Sequence, residues 1–172
     1  MNKKTIITIG AVILVGAAFA ISTGTFIGLP LGEKTIVWSN IADGSALSAS
    51  TNKVMLIDVY TDWCTWCKKM DKDTYHTPEI SDYVNQKFVP IRLNAESQES
   101  RFFGGQNITD SVLALALGVQ EYPTTIFVTP EGTPITSVPG YIPPADFKQM
   151  LRFIGEGAYK HMDFEQYQQS LN

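Results

Sequence analysis

Two short apolar runs set the limits on how this chain can fold: residues 54–60 (VMLIDVY) and residues 88–93 (FVPIRL). Nearly continuous runs of this kind, rich in branched side chains, are typical of strands buried on both faces. The segment between them turns polar and helical in period from Cys64 onward, is interrupted at Pro78, and resumes as a helix at residues 79–86. A strand, a helical crossover and a second strand predict a parallel pair.

The remaining segments extend this unit to a mixed sheet. Residues 124–129 and 135–138 are predicted to be antiparallel strands joined by a turn at 130–132. The other predicted elements are a first strand at 36–38, weak helical character at 43–50, a polar loop at 94–107 broken at Gly104 and Gly105, a helix over 111–118 capped by Thr109 or Asp110, and a helix from Pro144 with Phe147, Met150, Leu151 and Ile154 on one face. The pattern predicts an α/β domain with a central mixed sheet of four or five strands flanked by helices.

The composition limits the chain to one domain and excludes several classes of protein. A length of 172 residues supports one sizeable core and is too short for two ordinary domains. Hydrophobic residues make up 44% and charged residues 17%, which excludes intrinsic disorder. A formal net charge of −4 argues against nucleic acid as a partner.

The N-terminal 29 residues have the pattern of an export signal. Lys3 and Lys4 precede residues 5–29, which carry no charge. A positive region followed by an apolar region is typical of a signal peptide, and Ala18-Phe19-Ala20 supplies a cleavage site of small residues. A membrane-spanning helix needs about 20 apolar residues, so an uncleaved N-terminal hydrophobic helix that anchors the protein is equally open. Both alternatives predict a periplasmic domain, anchored to the inner membrane or released.

The exported part divides into a domain at residues 33–158 and a C-terminal extension at residues 159–172. The extension spreads Tyr159, Met162, Phe164 and Tyr167 among polar residues. This pattern fits an extra helix folded onto the domain or a segment that binds a partner.

The two cysteines, Cys64 and Cys67, directly follow the first buried strand and open a helix. A thiol in the first turn of a helix faces unpaired N–H groups and the positive end of the helix dipole, which favour its thiolate. Lys68 and Lys69 add positive charge nearby. The spacing lets both sulfurs meet across one helical turn as a reversible disulfide. Cys64 is expected to be the exposed attacking sulfur and Cys67 the more buried resolving sulfur.

The cysteine pair has two other interpretations. A permanent disulfide across so short a loop would constrain the unfolded chain little. A zinc site would need His76 and His161 as its third and fourth ligands, at distant and irregular spacings. We therefore predict no metal and no cofactor other than the redox-active disulfide.

The residues around the cysteines resemble the thioredoxin superfamily, over roughly residues 35–156. The run IDVYTDWCTWCKK carries Asp58 six residues before the first cysteine and Trp63 just before it. Tyr122, Pro123 and Thr124 open a later strand and look like the family's cis-proline loop. Arg92 stands where thioredoxins often have a lysine, and Gly140 where a family glycine packs near the active site. The resemblance implies a thioredoxin fold and thiol–disulfide oxidoreductase activity.

The resemblance also implies roles for individual residues. Asp58 would be a buried carboxylate whose proton affinity is raised by desolvation, able to take the proton of Cys67. Arg92 would pair with Asp58, although an arginine cannot release a proton as a lysine can. A cis bond before Pro123 would turn the Tyr122 backbone toward Cys64, where an incoming peptide could pair through main-chain hydrogen bonds.

Further substrate contacts are expected from Trp63 and Trp66, which would flank the cysteines as exposed apolar surface, and from Thr124 beside Pro123. Thr65 and Trp66 replace the Gly-Pro of typical thioredoxins, so the reduction potential cannot be carried over.

Among the branches of the superfamily, the cysteine region looks most like the C-terminal domain of the thiol:disulfide interchange protein DsbD. The Gly-Tyr-x-Pro-Pro stretch is more similar to periplasmic SoxW-type thioredoxins. These likenesses imply that the protein reduces disulfides in exported proteins and receives electrons from a membrane donor such as a DsbD-like protein. The alternatives are a disulfide-forming oxidase and a non-catalytic binding module.

Overall fold

The computed structural model describes residues 35–171 and forms a domain of helices and strands. The helices are α1 (Ile41–Thr51), α2 (Thr65–Met70), α3 (Pro78–Lys87), α4 (Asp110–Ala116), α5 (Pro144–Gly155) and α6 (Phe164–Ser170). The strands are β1 (Met55–Tyr60), β2 (Val89–Asn94), β3 (Ser100–Phe103), β4 (Gln106–Thr109), β5 (Thr124–Val128) and β6 (Pro134–Pro139). A π-helix at Asp71–Tyr75 continues α2, and a 3-10 turn at Ala158–Lys160 follows α5.

Four strands form the central sheet in the order β2-β1-β5-β6. β1 pairs in parallel with β2 and antiparallel with β5, and β6 pairs antiparallel with β5. The predicted parallel pair, the antiparallel hairpin and the mixed sheet flanked by helices are confirmed. The register places Asp58 of β1 opposite Arg92 of β2 on one side and Thr125 of β5 on the other.

Side chains that alternate along β1 point into two cores, one on each face of the sheet. Leu56 belongs to the core beneath α2, α3, α5 and α6, whose large members include Met70, Val84, Phe88, Phe147 and Leu151. Ile57 and Val59 belong to the core beneath α1 and α4, with Ile41, Ile91 and Leu113. A strand that feeds two cores must be apolar on both faces, which explains the continuous apolar run.

The predicted first strand at residues 36–38 is wrong. Only Ser39 makes a parallel bridge, to Ile91 of β2. The amide of Asn85 takes the place of a neighbouring strand: its oxygen accepts from the Val37 N–H at 3.0 Å and its nitrogen donates to the Thr35 carbonyl at 2.9 Å. Residues 36–38 therefore run as an extended segment that is not a strand of the sheet.

The predicted polar loop at residues 94–107 contains a hairpin, and this expectation is corrected. β3 and β4 pair antiparallel around Gly104 and Gly105, whose φ angles are 60° and 83°. A two-residue hairpin turn with positive φ at both positions is most accessible to glycine. The adjacent N-terminal cap of α4 is confirmed, because the Thr109 side chain accepts from the Val112 N–H at 3.3 Å.

The C-terminal extension forms α6 and packs on the domain. The rings of Phe164 and Tyr167 each lie 5.3 Å from the ring of Phe153 in α5, and Tyr167 is buried. Asp163 caps the helix by accepting from the Gln166 N–H at 2.8 Å, and the Gln166 side chain returns a bond to the Asp163 N–H. Of the two interpretations of this segment, the packed helix is the one observed.

The predicted signal or anchor at residues 1–29 lies outside the described residues. Within residues 35–171, no helix has the length and apolar character needed to cross a bilayer.

Candidate functional site

A disulfide joins Cys64 and Cys67 at the point where β1 gives way to α2, with their Cα atoms 5.3 Å apart. The Cys64 N–H donates to the Thr61 carbonyl at 3.2 Å, which turns the chain from strand into helix. Cys64 is the N-cap of α2, and the Cys67 N–H points at its Sγ at 3.0 Å. A donor so placed favours negative charge on Cys64.

The expected difference in exposure between the two cysteines is wrong for the disulfide form. Cys64 is 4% exposed and Cys67 is 5% exposed. Both cysteines are therefore covered in this form. The asymmetry between them is electrostatic, since the N–H of Cys67 faces the sulfur of Cys64.

The loop before β5 lies beside the disulfide loop, and its Tyr122–Pro123 peptide bond is cis, as the resemblance implied. The ring of Tyr122 meets the ring of Trp63 edge-on at 6.1 Å, which joins the two loops. The Pro123 carbonyl accepts from the Gly140 N–H at 2.7 Å, and the Thr124 hydroxyl donates to the Glu121 carbonyl at 2.7 Å. Gly140 has a φ of 86°, a conformation that favours glycine.

Exposed aromatic side chains flank the disulfide on two sides. Trp63 is 63% exposed and Trp66 is 56% exposed, as predicted. The indole N–H of Trp63 donates to Glu96 at 2.9 Å, and the ring of Trp66 lies 5.7 Å from that of Tyr141. Exposed aromatic side chains beside a disulfide provide apolar surface on which a protein partner can bind. Sequence reasoning did not single out Glu96 or Tyr141, because both come from distant loops.

Asp58 lies buried in the middle of the sheet, 2% exposed, and both of its carboxylate oxygens have partners. The Tyr75 hydroxyl donates to Oδ1 at 3.1 Å, and Arg92 Nε donates to Oδ2 at 3.2 Å. Burial raises the pKa of Asp58 from 3.8 to about 6, against the opposing effects of Arg92 and Tyr75. Asp58 is therefore the buried carboxylate that the sequence predicted, and it changes charge near neutral pH.

Arg92 joins Asp58 to a second carboxylate. Its Nη2 donates to Asp71 at 3.0 Å, and its guanidinium lies 5.3 Å from the centre of the Trp38 ring and 4.9 Å from that of Tyr60. Stacking between two rings is available to a planar guanidinium and not to a lysine ammonium. The pairing of Arg92 with Asp58 was predicted, whereas the contribution of Asp71 was not.

Asp71 and Tyr75 were missed because both lie on the π-helix. A π turn holds one more residue than an α turn, so the side chains that follow rotate away from their expected face. The sequence pattern, an acidic residue followed four positions later by a tyrosine, does not predict a π-helix.

The two histidines considered for a metal site, His76 and His161, each lie at the end of a short helical segment. His76 Nδ1 lies 2.6 Å from the Asp71 carbonyl, and His161 ends the 3-10 turn. Among residues 35–171, no three His, Cys, Asp or Glu side chains are grouped closely enough to hold a metal ion.

Comparison with known proteins agrees with this geometry. A family model described as a thioredoxin-like domain matches residues 45–155. The thiol:disulfide interchange protein DsbD of Tatumella citrea is 29% identical over 109 residues, which cover 62% of this chain and 17% of that protein. The DsbD of Pectobacterium atrosepticum is 30% identical over 120 residues, covering 66% and 18%. The chain thus spans less than a fifth of the length of these curated relatives.

Solved structures show the same fold. A thioredoxin-fold protein from Helicobacter pylori has a TM-score of 0.61 at 28% identity, covering 70% of this chain and 81% of that one. The reduced C-terminal domain of Neisseria meningitidis DsbD has a TM-score of 0.52 at 19% identity, covering 64% and 90%. The latter likeness concerns the fold alone.

Fold and site together define a domain of the thioredoxin fold that carries the Cys64–Cys67 disulfide at the start of α2. The chain belongs to the thioredoxin-like domain family.

Proposed function

We propose that this protein is an exported thiol–disulfide oxidoreductase that reduces disulfide bonds in other exported proteins. The observation that carries the proposal is the Cys64–Cys67 disulfide at the start of α2, beside the cis Tyr122–Pro123 loop and between two exposed tryptophans. This arrangement combines a reactive dithiol with a surface on which a second protein can lie.

The proposed cycle begins with the reduced dithiol. The thiolate of Cys64 attacks one sulfur of a substrate disulfide, and the other substrate sulfur leaves as a thiolate that takes up a proton. Cys67 then gives its proton to the Asp58 carboxylate and attacks the Cys64 sulfur of the mixed disulfide. This releases the second substrate sulfur as a thiolate, which also takes up a proton, and Asp58 returns its own proton to solvent. The substrate gains two electrons and two protons, and the protein is left with the Cys64–Cys67 disulfide.

Substrate recognition is proposed for the surface around this pair. The main chain at Tyr122 and Thr124 would pair with an extended segment of the substrate, and Pro123 withholds an N–H at the point of closest approach. Trp63 and Trp66 would cover apolar side chains on either side of the substrate cysteine.

Thiol–disulfide exchange is supported by the sequence likeness to DsbD proteins, which are named as thiol:disulfide interchange proteins, and the reducing direction is proposed because an exported compartment is already oxidising. A protein that reduces substrates in an oxidising compartment must be reduced again by a membrane donor, since the compartment offers no thiol pool of low potential. We propose a DsbD-like protein as this donor.

Export and anchoring are proposed from Lys3, Lys4 and the uncharged residues 5–29. Cell fractionation and N-terminal sequencing test this proposal. A membrane-bound form that retains Met1 supports the anchor, whereas a soluble periplasmic form that begins at Ile21 contradicts it and leaves export in place.

Reduction of insulin disulfides tests the activity. The wild-type protein with a chemical electron donor is expected to precipitate the insulin B chain, and Cys64→Ser is expected to be inactive. The redox state in cells, read by thiol alkylation, gives the direction: a reduced pool supports the proposal and a fully oxidised pool favours an oxidase. If the wild-type protein does not reduce insulin, the result would instead favour a non-catalytic binding module.

A further inference from the structure

The carboxylate of Asp58 is held by a different donor on each oxygen. Tyr75 donates to Oδ1 at 3.1 Å and Arg92 donates to Oδ2 at 3.2 Å. Two donors on two oxygens fix the plane of the carboxylate, which one donor would leave free to rotate. Each oxygen retains a further lone pair, so a proton can still be accepted.

Tyr75 is placed for this contact by the π-helix and by its packing. One extra residue in a helical turn rotates every following side chain by about 100°. In a regular continuation of α2, Tyr75 would therefore face away from Asp58. Its ring is buried edge-on against Trp38 at 5.1 Å and Phe147 at 5.6 Å, which leaves the hydroxyl little freedom to move.

The hydroxyl of Tyr75 also reaches the strand that carries the cis-proline loop. Its oxygen lies 3.5 Å from the Thr125 hydroxyl on β5, two residues after Pro123. Tyr75 thus spans the π-helix, the centre of β1 and the start of β5, which are three elements around the disulfide.

The titratable groups near Asp58 come from β1, β2 and the π-helix. Arg92 lies on β2, Asp71 and Tyr75 lie on the π-helix, and Tyr60 on the same strand acts on it through Arg92. Burial first, and then the charge of Asp58, raise the pKa of Tyr75 well above its ordinary value, so its hydroxyl remains protonated and can only donate to a charged Asp58. A donor to the carboxylate stabilises the charged form against burial.

We propose that Tyr75 is a positioning residue for proton transfer in the redox cycle: its hydroxyl orients the Asp58 carboxylate and keeps it charged until the proton of Cys67 arrives. This role rests on the proposed function of Asp58 as the proton acceptor. Tyr75 touches neither the substrate nor the sulfurs in this role and acts through Asp58.

A carboxyl-carbon NMR titration of the oxidised full chain tests the role, with Asp58→Asn to assign the resonance. Tyr75→Phe is expected to raise the pKa of Asp58 above its wild-type value, because a donor to the charged form is lost. Tyr83→Phe is the matched control, since the Tyr83 hydroxyl is also buried and has no hydrogen-bond partner in residues 35–171. An unchanged pKa in Tyr75→Phe, or an equal shift in Tyr83→Phe, overturns the proposal.

A measurement on the wild type covers the case in which Tyr75→Phe fails to fold. The ring carbon that bears the Tyr75 hydroxyl is expected to shift with pH at the Asp58 midpoint, while that of Tyr83 is not. A Tyr75 signal that stays constant through the Asp58 titration overturns the proposal. Neither NMR result depends on catalysis, so an inactive wild type in the insulin assay would count against the proposed function alone.

Discussion

Cys64 and Cys67 differ in what faces their sulfur atoms more than in how deeply they lie. The Cys67 N–H points at the Cys64 sulfur at 3.0 Å, and Cys64 caps the helix. We expect the reduced protein to be alkylated first at Cys64, because the Cys67 N–H and the start of the helix favour its thiolate. Mass spectrometry of peptides after brief iodoacetamide treatment across pH measures this. Faster labelling of Cys67 would contradict the assignment.

Asp58 titrates close to neutrality, with a pKa near 6. The resolving step is therefore expected to accelerate as the pH rises through 6, where Asp58 becomes able to accept the Cys67 proton. Asp58→Asn removes the acceptor and should slow resolution at pH 7 by roughly 100-fold. Single-turnover decay of a preformed mixed disulfide measures the step. A pH profile that Asp58→Asn leaves unchanged would remove Asp58 from the mechanism.

The sequence predicted those site residues that are marked by a pattern of nearby residues, and it missed those that are placed by more distant structure. Asp58, Cys64 and Cys67 lie within ten residues of one another, from β1 to the first turn of α2, so their local pattern and its resemblance to thioredoxins indicated their places. Tyr75 depended on the helical register after Cys67, and an α-helical count gives it the wrong face.

At the scale of elements, prediction was best where periodicity and burial agreed. β1 and β2 were recognised because both are buried strands in a parallel pair. Residues 36–38 have the composition of a strand. Their backbone hydrogen-bonds to the side chain of Asn85 instead of to a neighbouring strand, and no local sequence pattern reveals this contact. The hairpin of β3 and β4 was missed because its strands are polar and only partly buried, although Gly104-Gly105 marked its turn.

The extension is expected to contribute to the stability of the domain. Tyr167 is buried in a cluster with Phe153 and Phe164, so Tyr167→Ala should lower the free energy of unfolding by roughly 3 kcal/mol. Gln169→Ala, on the exposed side of α6, should change it by less than about 0.5 kcal/mol. Urea unfolding followed by circular dichroism compares them. Equal effects would mean that α6 does not pack as described.

At the scale of the whole molecule, the buried charge of Asp58 makes stability depend on pH. Because its folded pKa is raised from 3.8 to about 6, the folded state binds the proton more tightly than the unfolded state, and stability falls as the pH rises between these values. The cost is absent below pH 3.8 and complete above pH 6. At about 1.4 kcal/mol per pKa unit, it is on the order of 3 kcal/mol.

Asp58→Asn removes this dependence. The free energy of unfolding of Asp58→Asn relative to wild type should be higher at pH 7.5 than at pH 3.5 by about 3 kcal/mol. Glu121→Gln, at an exposed position, serves as the control and should show no comparable difference. Chemical denaturation of the oxidised proteins at the two pH values measures it. If the difference in free energy of unfolding between Asp58→Asn and wild type were the same at both pH values, the charge on Asp58 would not destabilise the folded protein.

Covalent trapping in the native host tests the central claim most directly. Cys67→Ala keeps the attacking thiol and removes resolution, so it should accumulate disulfide-linked complexes with exported proteins, visible on non-reducing gels and abolished by reductant. Cys64→Ala should form none, and mass spectrometry of the trapped bands identifies the substrates. Complexes formed by Cys64→Ala and not by Cys67→Ala would reverse the two roles. Complexes with neither variant would contradict a thiol–disulfide exchange function.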